Sequence, residues 1–180
     1  MDRIIRVIIP ALNEELSIGK VIEDIPGDIV DEIIVVDNNS TDNTRHAAEE
    51  HGATVLMEPE RGYGAACVKG MDYVNTLEET TDIIVFLDGD YSDYPSELTQ
   101  VVHPIIADGF DMVIGSRTLG ESARGSLTQV QIFGNWLSTR LLKLFYGAQF
   151  TDLGPFRAIK WDKLKSLEMR DRNYGWTVEM

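Results

Sequence analysis

Asp88 and Asp90 stand two residues apart with Gly89 between them, at the end of the apolar run Asp82-Ile83-Ile84-Val85-Phe86-Leu87. Two carboxylates at this spacing offer hard oxygens. Mg²⁺ and Mn²⁺ take such ligands and complete their shells with water and phosphate oxygens. The run reads as a buried parallel strand, and open α/β sheets bind ligands beyond the carboxyl ends of their strands. Asp88 and Asp90 are therefore the candidate catalytic and metal-holding pair of an enzyme acting on a nucleotide-linked substrate.

Other strand ends supply further candidates. The first strand runs out through Pro10, Leu12, Asn13 and Glu14. Proline lacks an N–H and suits a strand's exit. Asn13 and Glu14 could bond a ribose or a base edge, and Asn-Glu also suits a helix cap. The second strand ends at Asp37-Asn38-Asn39-Ser40. Asp37 is placed to accept from a base N–H or a ribose hydroxyl, while the stretch equally reads as a turn with Ser40 or Thr41 as helix cap. No Gly-x-Gly-x-x-Gly follows strand one, which disfavours a dehydrogenase. Arg61-Gly62-Tyr63-Gly64 opens a helix with small residues, fit either to approach a phosphate or to pack tightly. Arg117 follows the fifth strand, and its guanidinium suits a diphosphate.

The elements that must position these groups alternate in type. Strands are expected near 4–9, 32–37, 53–57, 82–88 and 111–115, with helices near 15–25, 42–51, 63–76 and 95–107. Pro95 opens the fourth helix and Gly52 stops the second. Residues 116–126 read as a loop beside the site. Residues 127–146 read as a long helix, either packed in the core or lying on a membrane surface. The fold class is α/β, with a mostly parallel central sheet flanked by helices.

Composition bounds the partners. The 180 residues are 43% hydrophobic, enough for one domain with a core. The single cysteine, Cys67, excludes an internal disulfide and fits a reducing compartment. The first residues are too short and too charged for a signal peptide. No stretch of about 18 apolar residues is present to span a bilayer. The net charge of −14 argues against nucleic-acid binding. It divides unevenly: residues 1–123 hold 7 Lys/Arg against 25 Asp/Glu, and residues 124–180 hold 9 against 5. The basic second part suits an anionic partner, and a solvated surface with chance clustering gives the same count. The chain stops at Trp176-Thr177-Val178-Glu179-Met180 without a tail-like signal, as a longer protein cut short would.

Taken in order, Val7–Glu14, Val35–Asp42, Arg61–Gly64, Asp88–Asp90, Gly115–Arg117 and Thr151–Ile159 resemble the motifs of the family 2 glycosyltransferases. The resemblance is nearest the branch of dolichyl- or polyprenyl-phosphate mannose and glucose synthases. It covers nearly the whole chain and implies the Rossmann-like, nucleotide-sugar-binding GT-A fold as a single domain. Residues 1–115 would form the nucleotide-sugar half and 116–180 the acceptor side. It implies that Pro10, Leu12, Glu14, Asp37 and Asn38 line the base and ribose pocket. Asp88, Gly89 and Asp90 would face Mg²⁺ or Mn²⁺ and the diphosphate, with Arg117 on the phosphate side. The implied reaction inverts the anomeric centre of a UDP- or GDP-sugar, in cell-envelope or glycolipid biosynthesis. The implied acceptor is a polyprenyl phosphate, at the cytoplasmic face of a membrane. A hydroxyl acceptor would need a general base, for which Asp152 and Glu179 are the candidates. Ser92 stands where those synthases tend to carry Gln, and Asp152-Leu153-Gly154-Pro155-Phe156-Arg157 where they tend to carry Ser-Gly-Phe-Arg. Both departures bear on the sugar and the lipid.

Two other readings fit the same residues. A sugar nucleotidyltransferase also holds a metal on such a sheet, but it needs a Gly-rich basic loop where this chain has Ala11-Leu12-Asn13-Glu14-Glu15. A nucleotide-sugar-binding domain without full activity is the non-enzyme alternative.

Overall fold

The computed structural model describes residues 3–116, 140 and 154–180. The strands are β1 (Ile5–Ala11), β2 (Glu32–Asp37), β3 (Thr54–Met57), β4 (Ile83–Phe86), β5 (Met112–Ile114) and β6 (Arg157–Lys160). They form one sheet in the order β3-β2-β1-β4-β6-β5. β1 pairs in parallel with β2 and β4, and β2 with β3. β6 runs antiparallel to both β4 and β5.

The helices are α1 (Ile18–Asp24), α2 (Thr44–Glu50), α3 (Tyr63–Thr76), α4 (Leu98–Ala107), α5 (Trp161–Ser166) and α6 (Trp176–Glu179). A 3-10 turn, Pro95–Glu97, leads into α4. Because side chains alternate along a strand, the sheet has two apolar faces. Val7, Ile9, Val35 and Val85 pack with Ile18, Val21, Leu98 and Val102 of α1 and α4. Ile8, Ile34, Ile84 and Phe86 pack with Ala66, Cys67 and Val74 of α3 and with Trp176. All of β1 is buried, as expected of the central strand of a sheet covered on both faces.

The five expected strands and four expected helices are present within a few residues of their expected ends. β6 was not expected. Its four residues form too short a run to stand out, and its antiparallel place depends on a distant partner, β4. Gly52 ends α2 with φ +85°, as a stop residue should. The expected loop at 116–126 and helix at 127–146 lie outside the described residues, apart from Ser116 and Arg140.

The cap of α2 differs from expectation. Asp42, not Ser40 or Thr41, takes the Thr44 N–H (3.0 Å) and the Thr44 hydroxyl (2.5 Å). Ser40 and Thr41 instead face Asn13: the Asn13 N–H donates to Ser40 Oγ, and the Thr41 N–H donates to Asn13 Oδ1.

Candidate functional site

β1 leads to β2 on one side, while β4 lies on its other side, so the chain direction across the sheet reverses between β1 and β4. Such a switch point opens a crevice at the carboxyl ends of the strands. The loops after β1, β2 and β4 meet there, and they carry most of the candidate residues.

Ala11 lies opposite Asp37 in the register, and the Asn38 N–H donates to Ala11 O at 2.8 Å. Asn13 has φ +61°, a conformation that asparagine tolerates better than most residues. Its bonds to Ser40 and Thr41 lock the β1 loop to the β2 loop. Pro10 is buried, and Leu12 projects at 39% exposure. Glu14 takes the Ser17 hydroxyl (2.8 Å), and its N–H donates to Thr44 Oγ1 (2.7 Å). Asp37 is buried, with one oxygen accepting from the Ser40 N–H at 3.2 Å. Burial pulls the Asp42 carboxyl upward, but donation from Thr44 and from the Glu15 N–H outweighs it and holds the carboxyl below the usual aspartate range.

Asn38 is buried and spent on the neighbouring loop. Its amide donates to Glu58 O (3.2 Å) and Glu60 O (2.7 Å), and its Oδ1 accepts from the Gly62 N–H (2.8 Å). The loop leading into α3 is thereby fixed. The N-terminus of α3 packs tightly rather than facing a ligand: the N–H groups of Gly64 and Ala65 donate to Asn173 O (3.1 Å) and Arg172 O (2.9 Å). The spacing Arg61-Gly62-Tyr63-Gly64 left phosphate approach and close packing open, and the returning chain decides for packing.

The acidic turn lies along β1. A β-carbon on Gly89 would sit 3.5 Å from Pro10 O, from the Ala11 Cβ and from the Ile18 Cδ1. Asp88 is half-buried, and Asp90 is exposed with its Oδ1 accepting from the Ser92 N–H at 2.9 Å. Among the described residues, no group of three His, Cys, Asp or Glu gathers here. One half-buried and one exposed carboxylate on this turn suit Mg²⁺ or Mn²⁺, which take one or two protein carboxylates and leave places for water and phosphate.

Behind Asp88 lies a buried polar cluster; Tyr63 and Arg157 stand in the motifs Arg61–Gly64 and Thr151–Ile159, which gave neither an individual role. Arg157 opens β6 opposite Phe86 and is 1% exposed. Its Nη1 donates to Thr177 O (3.0 Å) and its Nη2 to Gly154 O. The buried Tyr63 hydroxyl stands beside the Asp88 carboxylate. Burial first, then Cys67 and Asp88, push it well above the usual tyrosine range, with Arg157 opposing. The Cys67 thiol is pushed up by burial and by Asp88, again against Arg157. The signal available in the sequence was the place of Arg157 within the motif Thr151–Ile159, at the head of the short run Ala158-Ile159.

Glu179 lies on α6, where its carboxylate accepts from the N–H groups of Arg170 (3.0 Å) and Asp171 (2.8 Å). Arg117 and Asp152 lie outside the described residues. At the opposite end of the sheet, a polar depression is lined by Arg6, Asp31, Glu32 and Glu79. Arg6 there is engaged by Glu32 (3.0 Å), Glu79 (3.2 Å) and Thr81, so its charge is spent within the protein.

Comparison with known proteins agrees with this geometry. The model of glycosyl transferase family 2 matches residues 6–167. An uncharacterised glycosyltransferase of Mycobacterium tuberculosis is 33% identical over 176 residues, covering 98% of this chain and 76% of that protein. The UDP-N-acetylglucosamine–dolichyl-phosphate N-acetylglucosaminyltransferase of Methanococcus voltae is 28% identical, covering 96% and 76%. Glucosyl-3-phosphoglycerate synthase from M. tuberculosis, solved with Mn²⁺, UDP-glucose and phosphoglyceric acid, matches with a TM-score of 0.77 at 29% identity. That match covers 98% of this chain and 63% of that one, so the chain spans just under two thirds of the solved enzyme. The same enzyme solved with Mg²⁺ and UDP matches at a TM-score of 0.75. The expected GT-A architecture is borne out by these likenesses. Motif order, switch-point geometry and a family match over residues 6–167 converge: the chain belongs to glycosyl transferase family 2.

Proposed function

We propose that this chain carries the donor site of a metal-dependent, inverting hexosyltransferase that moves a sugar from a UDP- or GDP-sugar to an anionic, phosphate-bearing acceptor. The observation that carries the reading is the Asp88-Gly89-Asp90 turn lying against the end of β1 at the switch point. The synthase bound to Mn²⁺ and UDP-glucose supports it by likeness.

In this reading Asp88 and Asp90 hold Mg²⁺ or Mn²⁺ over the diphosphate. Asp37, with Pro10, Leu12 and Glu14 on the facing loop, receives the base and ribose. Asn38 and Gly89 serve by shaping that pocket, and Arg117 reaches the diphosphate. The cation, when bound, offsets the charge that develops on the departing nucleoside diphosphate. The sugar carbon under attack becomes oxocarbenium-like, which nearby carboxylates stabilise. A phosphate acceptor arrives already ionised and needs no base, whereas a hydroxyl acceptor would call on Asp152 or Glu179. Residues 1–115 form the donor half and 116–180 the acceptor side.

The finer proposal for the acceptor is a polyprenyl phosphate, met by peripheral attachment at the cytoplasmic face of a membrane. The basic balance of residues 124–180 and the dolichyl-phosphate relative support it. Among the described residues, no helix is long and apolar enough to cross a membrane.

The test is thermal unfolding with UDP or GDP, each with and without Mn²⁺. One nucleotide with Mn²⁺ should raise the midpoint by mass action on the folded state. A folded sample that responds to neither nucleotide would defeat the reading. Release of the nucleoside diphosphate, with a polyprenyl phosphate or 3-phosphoglycerate as acceptor, then separates the lipid from the small soluble anion.

A further inference from the structure

Two locally unfavourable choices meet at one contact beside the acidic turn. Tyr91, directly after Asp90, holds φ +62°. That region disfavours bulky side chains, and such strain persists where surrounding structure imposes it, often at functional sites. Asp24 is the last residue of α1, where the helix dipole disfavours a carboxylate. The Tyr91 hydroxyl donates to Asp24 Oδ2. Neither residue is buried, so packing does not explain the pairing.

The acidic turn is therefore attached to α1 at two points. Gly89 lies against Ile18 at the start of the helix, and Tyr91 is tied to Asp24 at its end. α1 also packs against the 3-10 turn that follows. Its own lead-in is the loop carrying Leu12, Asn13 and Glu14, so one short helix joins the nucleoside loop to the metal turn.

We propose that Tyr91 is a positioning residue: through its bond to Asp24 it holds the Asp90 carboxylate in the metal-binding conformation and keys the metal turn to α1. This rests on the proposed metal role of Asp88 and Asp90.

The test is a double-mutant cycle of Tyr91→Phe and Asp24→Ala. It is read as Mn²⁺ affinity in the presence of UDP, from the free-Mn²⁺ electron paramagnetic resonance signal. Each single variant should weaken Mn²⁺ binding about fivefold, the worth of one modest hydrogen bond. The double variant should be no weaker than either single one. Unfolding midpoints separate this from a merely structural role: Asp24→Ala removes a charge at the unfavourable helix end, so stability should hold or rise while Mn²⁺ binding falls. Singles within twofold of the parent, or losses that multiply in the double variant, would overturn the proposal. If the parent binds no Mn²⁺ with UDP, the proposed metal role fails by itself. Amide exchange across residues 88–93 then still reads the tie: faster exchange in both singles supports it, and unchanged exchange refutes it.

Discussion

A β-carbon on Gly64 would stand 2.1 Å from the carbonyl oxygen of Asp171. Contact this close leaves room for hydrogen only, and it seats the returning chain over the start of α3. Gly64→Ala must push residues 171–173 away or bend the helix. Overpacking of this kind costs about 1–3 kcal/mol. Urea unfolding should show that loss, and an unchanged midpoint would mean that the close seat is not kept in solution.

Asn38 holds the loop before α3 with both ends of its amide. Asn38→Asp keeps an acceptor for the Gly62 N–H but loses both donors to the Glu58 and Glu60 carbonyls. Stability should fall by about 1–3 kcal/mol, the range for leaving buried polar groups unpaired. Nucleotide preference between UDP and GDP should stay as in the parent. A switch of preference without loss of stability would assign Asn38 to base recognition instead.

Asp88→Asn and Asp90→Ala test the proposed chemistry directly. Each removes an anionic metal oxygen and should lower turnover on the order of a hundredfold or more, by loss of electrostatic stabilisation of the leaving group. Circular dichroism should show the parent fold, at least for the exposed Asp90. Turnover at the parent's level in Asp90→Ala would take that carboxylate out of the reaction.

The parallel half of the fold was legible because β1, β2 and β4 each hold an apolar run, Val7–Ile9, Ile33–Val36 and Ile83–Phe86, with turn residues beyond it. Asp88 and Asp90 stood out for the same reason: charge follows directly on Leu87, which is fully buried. What was not legible depended on residues distant in sequence. Arg157 stands in the motif Thr151–Ile159 without a role of its own until β6 is laid beside β4. The bonds of Asn38 were not legible because nothing local shows that Glu58, Glu60 and Gly62 surround it. Tyr91 carries no sequence signal of its own, since its conformation becomes evident only through its φ and its partner Asp24.

Asp42 gives a pH dependence with a definite sign. Its carboxyl is held below the usual range in the folded protein, against about 3.9 in an unfolded chain. A depressed carboxyl contributes stability that is present above the unfolded value and lost as pH falls through the folded one. Parent and Asp42→Asn should therefore differ in unfolding midpoint at pH 6 and converge as pH drops below about 3.9. A constant difference across that range would show that the carboxylate's charge is not what braces α2 and the Glu15 N–H.

Arg157 should be a costly charge to remove. It is buried, donates to the Gly154 and Thr177 carbonyls, and shares its surroundings with Asp88, Tyr63 and Cys67. Arg157→Met leaves both carbonyls and a nearby carboxylate without their cation. Breaking a buried charge arrangement from one side costs about 3–5 kcal/mol. Arg157→Lys keeps the charge but loses the planar fork that reaches two carbonyls at once, so it should recover part of the loss and not all of it. Because Thr177 directly follows Trp176, which packs edge-on against Phe86 at 5.8 Å, loosening should appear first around α6. Urea unfolding of the three proteins, with the Trp fluorescence of each, measures both effects. A methionine variant as stable as the parent would show that Arg157 does not anchor the returning segment to β4.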